Sequence, residues 1–282
     1  MRRTLAKEIS KSGTALHEGA TVNMTLSPVE PGTGIVFRRS DLGGREIPAL
    51  YDRVGETRLG TVIAEGGATV GVIEHLMAAV AGAQIDDLVV TLDGPEPPIL
   101  DGDALSYFQL IEEAGTREQA GARKAIKVIK SVEITIKDAQ IRLLPSDAPE
   151  YTFDLDYSNT KAIGKQSYTM TFTRENFARD IAPARTFGFM HELDMLHKMG
   201  LGRGASLTNT IAIEGDNVVN KDIMRFPDEF VRHKILDAIG DMALAGGPLI
   251  ARFEGVKSGH ATNNAVLRAL FADAANYTVV EI

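Results

Sequence analysis

Residues 226–245 limit the fold more than any other stretch, because their apolar side chains repeat with the period of a helix. Asp228 and Glu229 suit a first helical turn, and a Gly-Gly-Pro sequence that begins at Gly246 would end the helix. At about 100° per residue, four apolar side chains fall on one side. We expect that side to pack against a core; its residues are Val231, Ile235, Ile239 and Met242.

The opposite side of this helix carries side chains that can bind a metal ion. His233, Asp237 and Asp241 are spaced at i, i+4 and i+8, so they line three successive turns of a face that we expect to be uncovered. A histidine and an aspartate one turn apart can both bind a single metal ion, but such pairs on helices are usually solvated. The helix therefore indicates a metal site only if another stretch supplies matching ligands.

Length and charge narrow the class of protein. The chain has 282 residues, enough for a sizeable core and two domains, and its 44% hydrophobic and 24% charged residues are typical of a soluble globular protein. The formal charge of −8 argues against general nucleic-acid binding, so an anionic substrate would have to meet a local basic cluster.

The lack of cysteine restricts the chemistry of any metal site. Without thiolates the ligands must be nitrogen and oxygen atoms, which suit zinc or another divalent transition ion. The first residues include basic side chains with no apolar run behind them, and no stretch reaches about 18 apolar residues. We therefore expect neither a signal peptide nor a transmembrane segment, and we predict a cytoplasmic protein.

The order of the predicted elements indicates two copies of one unit. The sequence MTLSP from Met24 resembles IRLLP from Ile141, and each enters a proline-containing turn that precedes an apolar strand. A helix after Val72 is followed by an apolar strand, and so is the helix after Phe226. Residues 114–123 are polar and contain two glycines, which makes them the best candidate for a linker.

We therefore predict an α+β fold of two duplicated halves, residues 1–122 and 123–282. Each half would be a sheet with helices on one face, and the halves would pack as a sandwich with the helices between the sheets. The second half carries an addition at about residues 189–213. We predict a β-α-β insertion there, with an amphipathic stretch from Met190 and a strand over residues 207–213.

The first half offers a further candidate ligand at the start of the helix after Val72. If the halves are pseudo-symmetric, His75 can face His233 and Asp237, and three ligands with an open fourth position are typical of catalytic zinc. Glu74 would then lie near the metal and could take a proton from water. On its own, the pair is more often a helix-start acid beside a half-buried histidine.

His260 is a candidate proton donor. It ends a Lys-Ser-Gly-His sequence that we place on a loop after a core strand, although a surface histidine without a role is an equal alternative. Asp241, one turn beyond Asp237, could orient this imidazole and keep it charged.

Together these motifs resemble one enzyme family, the UDP-3-O-acyl-N-acetylglucosamine deacetylases. The resemblance covers almost the whole chain, and the motifs occur in the family's order. They are LHEG from Leu16, GVIEHLMAA from Gly71, PEPPILDG from Pro95, ARTFGF from Ala184, FVRHKILDAIGD from Phe230 and KSGH from Lys257.

The resemblance implies an amide hydrolase that removes the N-acetyl group from UDP-3-O-(3-hydroxyacyl)-N-acetylglucosamine. This is the committed step of lipid A synthesis in Gram-negative bacteria. By position, the resemblance implies that His75, His233 and Asp237 bind zinc, with ferrous iron as the alternative metal. It assigns the general base to Glu74, and it implies the duplicated fold described above.

The remaining roles also come from the resemblance. His260 would be the acid or electrostatic partner, with Asp241 behind it, and Thr186 would help to hold the oxyanion. Either His260 or the general base would protonate the departing amine. The substrate contacts implied are Phe187 and Lys234.

The insertion indicates where an acyl chain would bind. Apolar residues recur there at three-residue spacing, and the resemblance implies a helix over a strand that forms an apolar passage beside the metal. Leu16 would lie opposite. The plainer alternative is that these residues only close a local core. The residues that would line the passage are Met190, Leu193, Leu207 and Ala212.

Three other classes of protein are alternatives to this family. A metalloprotease would usually show His-Glu-x-x-His on one helix, and a nucleoside deaminase would usually need cysteine ligands; the sequence has neither. A sugar-nucleotide binding protein with a structural metal stays open. The expected partner is the acylated UDP sugar, not nucleic acid, and we expect a monomer.

Overall fold

Twenty strands and six α-helices make up most of the fold, and the computed structural model describes all of residues 1–282. None of the helices is both long and apolar enough to cross a lipid bilayer. The strands, in chain order, are β1 (Arg2–Leu5), β2 (Ile9–Thr14), β3 (Thr21–Ser27), β4 (Ile35–Arg39), β5 (Arg45–Pro48), β6 (Ile63–Glu65), β7 (Ala68–Val70), β8 (Leu88–Leu92), β9 (Thr116–Gln119), β10 (Lys124–Val128), β11 (Val132–Ile136), β12 (Ala139–Leu144), β13 (Glu150–Tyr157), β14 (Gly164–Thr171), β15 (Phe187–Phe189), β16 (Ile211–Glu214), β17 (Asn217–Val218), β18 (Leu249–Ile250), β19 (Arg252–Val256) and β20 (Tyr277–Glu281).

The helices differ in length and burial. The third is a single turn that continues into a π-helical turn, Phe177–Ile181. In chain order the helices are α1 (Glu74–Gly82), α2 (Leu105–Ala114), α3 (Arg174–Asn176), α4 (Met190–Lys198), α5 (Glu229–Met242) and α6 (His260–Ala272).

Two five-stranded sheets share one strand order and one set of directions. The first runs β2-β3-β8-β4-β5 and the second β11-β12-β19-β13-β14. In each sheet the third and fourth strands are parallel, and all other neighbours are antiparallel. The parallel strand at the centre, β8 or β19, follows α1 or α5 along the chain. Mixed sheets with helices of this kind confirm the predicted α+β class.

Helices α1 and α5 cross in direct backbone contact. A β-carbon added at Gly240 of α5 would lie 2.0 Å from the carbonyl oxygen of Glu74 in α1. A single cluster of 57 buried apolar residues runs through both parts of the chain, so the two five-stranded sheets share one core. This crossing brings the first turn of α1 beside the last turns of α5.

The segment predicted as a linker is not an open connection. Residues 116–119 form β9, which pairs antiparallel with β1 from Arg2↔Gln119 to Leu5↔Thr116. The polar composition of this segment indicated a linker. A two-stranded ribbon along the surface can have the same composition, because it needs no continuous apolar face.

The insertion has the predicted β-α-β order, with one shifted boundary. β15 and β16 are parallel, and α4 connects them. The second strand was predicted to begin at Leu207, but it begins at Ile211 because residues 206–209 form a turn in which Asn209 Oδ1 accepts the N–H of Ser206 at 2.8 Å. A side-chain cap of this kind competes with strand pairing.

The polar face of α5 is buried, which corrects the expectation of an uncovered face. The apolar side packs into the core as predicted, but His233, Asp237 and Asp241 are also 4% exposed or less. Helices α1 and α6 cover them, so the helix is buried on nearly all sides. Buried charged groups need partners, and those partners define the candidate site.

Candidate metal and acid–base site

The metal ligands predicted from the sequence meet between α1 and α5. Glu74 and His75 occupy the first turn of α1, while His233 and Asp237 lie one turn apart on α5. All four side chains are buried. One nitrogen or oxygen atom from each of His75, His233 and Asp237 lies within 4.8 Å of the other two, so these residues could hold a metal ion.

The orientation of the ring nitrogens fits a metal ion. Nε2 of His75 and Nε2 of His233 lie 3.6 and 3.4 Å from the same oxygen, Oδ1 of Asp237. Nδ1 of His233 lies 3.0 Å from the carbonyl oxygen of Ala184, so in the neutral ring this nitrogen is the donor and Nε2 keeps its lone pair. Two ring nitrogens and an anionic oxygen that converge in this way form a donor set suited to a cation.

The protonation of these groups also favours metal binding, which needs neutral imidazoles. Burial lowers the pKa of His75 to about 3, and burial lowers the pKa of His233 as well. Burial alone would raise the pKa of Asp237, but Lys234 and the nearby histidines outweigh it and hold this pKa well below its usual range. Nζ of Lys234 donates to Oδ2 of Asp237 at 2.7 Å, which leaves Oδ1 facing the two rings.

Glu74 lies beside the three candidate ligands and is held by a backbone group. The N–H of Thr61 donates to Oε2 at 3.0 Å. The other oxygen, Oε1, faces Gly60, where an added β-carbon would lie 3.0 Å away. Burial raises the pKa of Glu74 to about 7, although the charge of His260 opposes this shift. A carboxyl group that titrates near neutrality can accept and return a proton.

His260 is the first residue of α6, rather than a loop residue as predicted, and it reaches α5 through Asp241. Its Nδ1 lies 2.8 Å from Oδ2 of Asp241. Burial alone would lower the pKa of His260, but the carboxylates of Asp241 and Glu74 outweigh it and raise the pKa to about 9. The imidazole is therefore cationic at neutral pH, with Nδ1–H donated to Asp241 and Nε2–H left for a second acceptor.

Two residues that hold Asp241 were missed by the sequence analysis. The hydroxyl of Thr61 donates to Oδ1 at 2.5 Å, and Nδ2 of Asn263 donates to Oδ2 at 2.8 Å. Asn263 lies three residues after His260 on α6, so helical spacing could have placed both on one face. Thr61 carries no such signal, because it is 180 residues from Asp241 along the chain.

The segment with Thr186 and Phe187 is fixed against α5. Oε1 of Glu229, one turn before His233, accepts the N–H of Arg185 at 2.9 Å. The ring of Phe187 meets the ring of His233 edge to face, with centroids 6.2 Å apart. Glu229 was also missed, although its i−4 spacing from His233 placed it on the same face of the predicted helix.

One cavity of about 750 Å³ brings most of the predicted site together. Asp241 does not line it, since this residue lies behind His260. The predicted site residues that do line it are Leu16, Glu74, His75, Thr186, Phe187, His233, Lys234, Asp237 and His260.

The predicted passage residues of the insertion do not line this cavity. Ala212 is buried in β16, Leu193 is half-buried on α4, and Met190 and Leu207 are 37% and 51% exposed. A β-carbon added at Gly202 would lie 3.9 Å from Cδ1 of Leu193, so α4 packs over the glycine-rich turn that follows it.

The fold and the site together define an α+β protein in which a buried candidate metal centre lies beside a carboxyl group and an imidazole with raised pKa values. The sequence profile of the UDP-3-O-acyl N-acetylglycosamine deacetylase family (LpxC) matches residues 2–272. The chain belongs to this family.

Individual relatives match over nearly their whole length. A protein of Myxococcus xanthus is 45% identical over 280 residues, which are 99% of this chain and 89% of the relative. Relatives from Aliarcobacter butzleri and Neisseria meningitidis are each 42% identical, over 282 and 287 residues, and each alignment covers 100% of this chain and 93% of the relative. All three are named UDP-3-O-acyl-N-acetylglucosamine deacetylase.

Proposed function

We propose that this chain is a zinc-dependent deacetylase that removes the N-acetyl group from UDP-3-O-(3-hydroxyacyl)-N-acetylglucosamine, the committed step of lipid A biosynthesis. The observation that carries the proposal is that the three candidate metal ligands, Glu74 and His260 line one cavity. The names of the relatives supply the substrate class.

Zinc is the metal that the ligand set favours, with ferrous iron as the alternative. Two neutral imidazoles and one carboxylate are the ligands of many zinc hydrolases, and the chain has no cysteine to offer instead. A divalent ion held there would supply Lewis-acid polarisation of the amide carbonyl and would acidify the attacking water.

Glu74 acts as the general base in this mechanism. Because Thr61 occupies Oε2, the proton of the attacking water goes to Oε1 as the new carbon–oxygen bond forms. Thr186 lines the same cavity, and in this mechanism its hydroxyl donates to the amide oxygen as that oxygen gains negative charge.

His260 completes the reaction. Asp241 accepts its Nδ1–H, so Nε2 carries the proton that passes to the sugar nitrogen as the carbon–nitrogen bond breaks. The products are acetate and a free 2-amino sugar. Lys234 holds Asp237 in place and lines the cavity with Phe187, where both contact the substrate.

The acyl chain leaves the cavity past Leu16 and lies along the insertion. Leu16 lines the cavity, and its carbonyl accepts the N–H of Gly204 in the insertion at 2.9 Å. The passage therefore begins where the cavity wall joins the insertion. Each buried methylene contributes at most about 0.8 kcal/mol, so a long chain adds several kcal/mol after its ordering cost. The passage residues we propose are Met190, Leu193, Leu207 and Ala212.

The architecture that supports this site is a duplication. Residues 1–122 and 123–282 form two α+β halves, packed with their helices between the sheets and with the insertion in the second half. The shared strand order and the contact of α1 with α5 support this division. That the protein is cytoplasmic and monomeric stays a prediction of the sequence. The mass of the protein in solution would test whether it is a monomer.

Acetate and free amine released from the acylated UDP sugar, measured by mass spectrometry, test the proposed function. His233→Ala should lose both bound zinc and activity, while His197→Ala, an exposed histidine of α4, should keep both. Tight binding of the sugar nucleotide by zinc-loaded protein without acetate release would favour the binding-protein alternative.

A further inference from the structure

The two acid–base groups of the proposed reaction belong to different helices. Glu74 is on α1 and His260 is on α6, while Asp241, which orients His260, is on α5. The two groups must act on the same amide, so their relative position matters for the rate. One residue outside these three helices contacts both the proposed general base and the aspartate that orients the proposed general acid.

That residue is Thr61, which is 1% exposed and precedes β6. Its backbone N–H donates to Oε2 of Glu74 at 3.0 Å, and its hydroxyl donates to Oδ1 of Asp241 at 2.5 Å. Its carbonyl oxygen accepts the N–H of Ile73, just before α1, at 3.5 Å. Thr61 therefore joins the start of α1 to the end of α5 through three of its own groups.

The two carboxylate oxygens of Asp241 have different hydrogen-bond partners. Oδ1 of Asp241 is bound to Thr61, while Oδ2 faces His260 and Asn263. Without the Thr61 hydroxyl, Oδ1 would be a buried anionic oxygen with no hydrogen-bond donor, which costs free energy. The carboxylate would then rotate to recover a donor, and Oδ2 would leave its place beside Nδ1 of His260.

We propose that Thr61 is a positioning residue that aligns the general base Glu74 with the general acid His260, acting on His260 through Asp241. This inference rests on the proposed function and adds a residue to its machinery. Thr61 does not line the cavity, so its effect reaches the substrate only through the two groups that it holds.

Thr61→Val isolates the hydroxyl, because valine has a similar shape and keeps the backbone N–H that binds Glu74. A positioning role predicts that kcat falls about 10- to 100-fold while KM changes by less than about twofold. Thr61→Ser should restore most of kcat. Thr4→Val is the matched control: Thr4 is fully buried and its hydroxyl donates to the carbonyl of Asp87 at 2.7 Å, outside the site.

A second readout does not depend on turnover. In zinc-loaded protein labelled with ¹⁵N-histidine, the Nδ1–H proton of His260, assigned with His260→Gln, reports its hydrogen bond to Asp241. Thr61→Val should shift or broaden this resonance, Thr61→Ser should restore it, and Thr4→Val should leave it unchanged. If the wild type released no acetate, the proposed function would fail, while this measurement would still test the positioning.

The proposal is overturned if Thr61→Val leaves both kcat and the His260 resonance unchanged, or if Thr61→Ser is as impaired as Thr61→Val. Equal loss of stability and of kcat in Thr61→Val and Thr4→Val would also overturn it, since the effect would then be general. Should Thr61→Val not fold, Thr61→Ala is compared with Thr61→Ser, and equal resonances and equal kcat in those two variants contradict the proposal.

Discussion

Gly240 of α5 faces the carbonyl oxygen of Glu74 so closely that an added β-carbon would lie 2.0 Å from it. No side chain fits between the two helices at this point. The contact explains how residues from α1 and α5 approach within ligand distance of one another, because the helix axes come closer than packed side chains would allow.

Gly240→Ala should therefore destabilise the protein. Alanine gains about 1 kcal/mol of helix propensity over glycine, but overpacking costs about 1–3 kcal/mol and more where backbone must move. The clash is with backbone, so we expect a net loss and a Tm lower by several degrees. Thermal unfolding with Gly188→Ala as control checks this, since a β-carbon at Gly188 would meet no atom within 4 Å. An unchanged Tm for Gly240→Ala would show that the helices are not held at this distance.

The activity should fall at high pH as His260 loses its proton. Three carboxylates face this imidazole, from Asp241, Glu74 and Asp237, and they outweigh burial to raise its pKa to about 9. The cation is therefore intact at neutral pH, and kcat/KM should decline as the pH rises through about 9. In Asp241→Asn the decline should move to lower pH, because one of the carboxylates that stabilise the cation is gone. Identical profiles of kcat/KM between pH 6 and 10 in the two proteins would disprove this assignment.

Glu74→Gln should keep the metal and lose rate. Glutamine can still accept the Thr61 N–H, but it cannot take a proton from water, so kcat should fall on the order of 10²–10⁴-fold. Metal content measured beside the kinetics separates the two possible roles of Glu74. A variant that purifies without metal would make Glu74 a ligand.

Leu193→Asp should reduce activity on the acylated substrate far more than on the same sugar nucleotide without the acyl chain. The half-buried side chain packs over Gly202, so a charge there would make the surface that binds the acyl chain less apolar. Met195→Asp on the same helix is the matched control, because Met195 is 57% exposed. Equal losses on both substrates would mean that the insertion supports only the fold.

The similarity of two short stretches was visible in the sequence because it depends on local patterns. MTLSP from Met24 and IRLLP from Ile141 lie in β3 and β12, which occupy the same place in their two sheets. The helix with His233 and Asp237 was visible for the same reason, since period and spacing are local properties. The burial of its polar face was not visible, because α1, which covers that face together with α6, is more than a hundred residues away.

The dependence on long-range packing also explains which residues of the site the sequence did not indicate. Thr61 lies in a short connection before β6 and acquires its partners only when α1 and α5 are packed. Leu207 was placed in a strand on its composition, yet side-chain hydrogen bonds of Ser206 and Asn209 form a turn there. Contacts of this kind depend on where the chain folds back, which single-sequence periodicity does not record.

Metal titration of the protein tests the central claim most directly. The three converging ligand atoms of His75, His233 and Asp237 predict that protein stripped by a chelator releases no acetate from the acylated UDP sugar. Activity should then rise linearly with added zinc and level off at one equivalent, and Asp237→Ala should show no such rise. Full activity in metal-free protein would contradict the account.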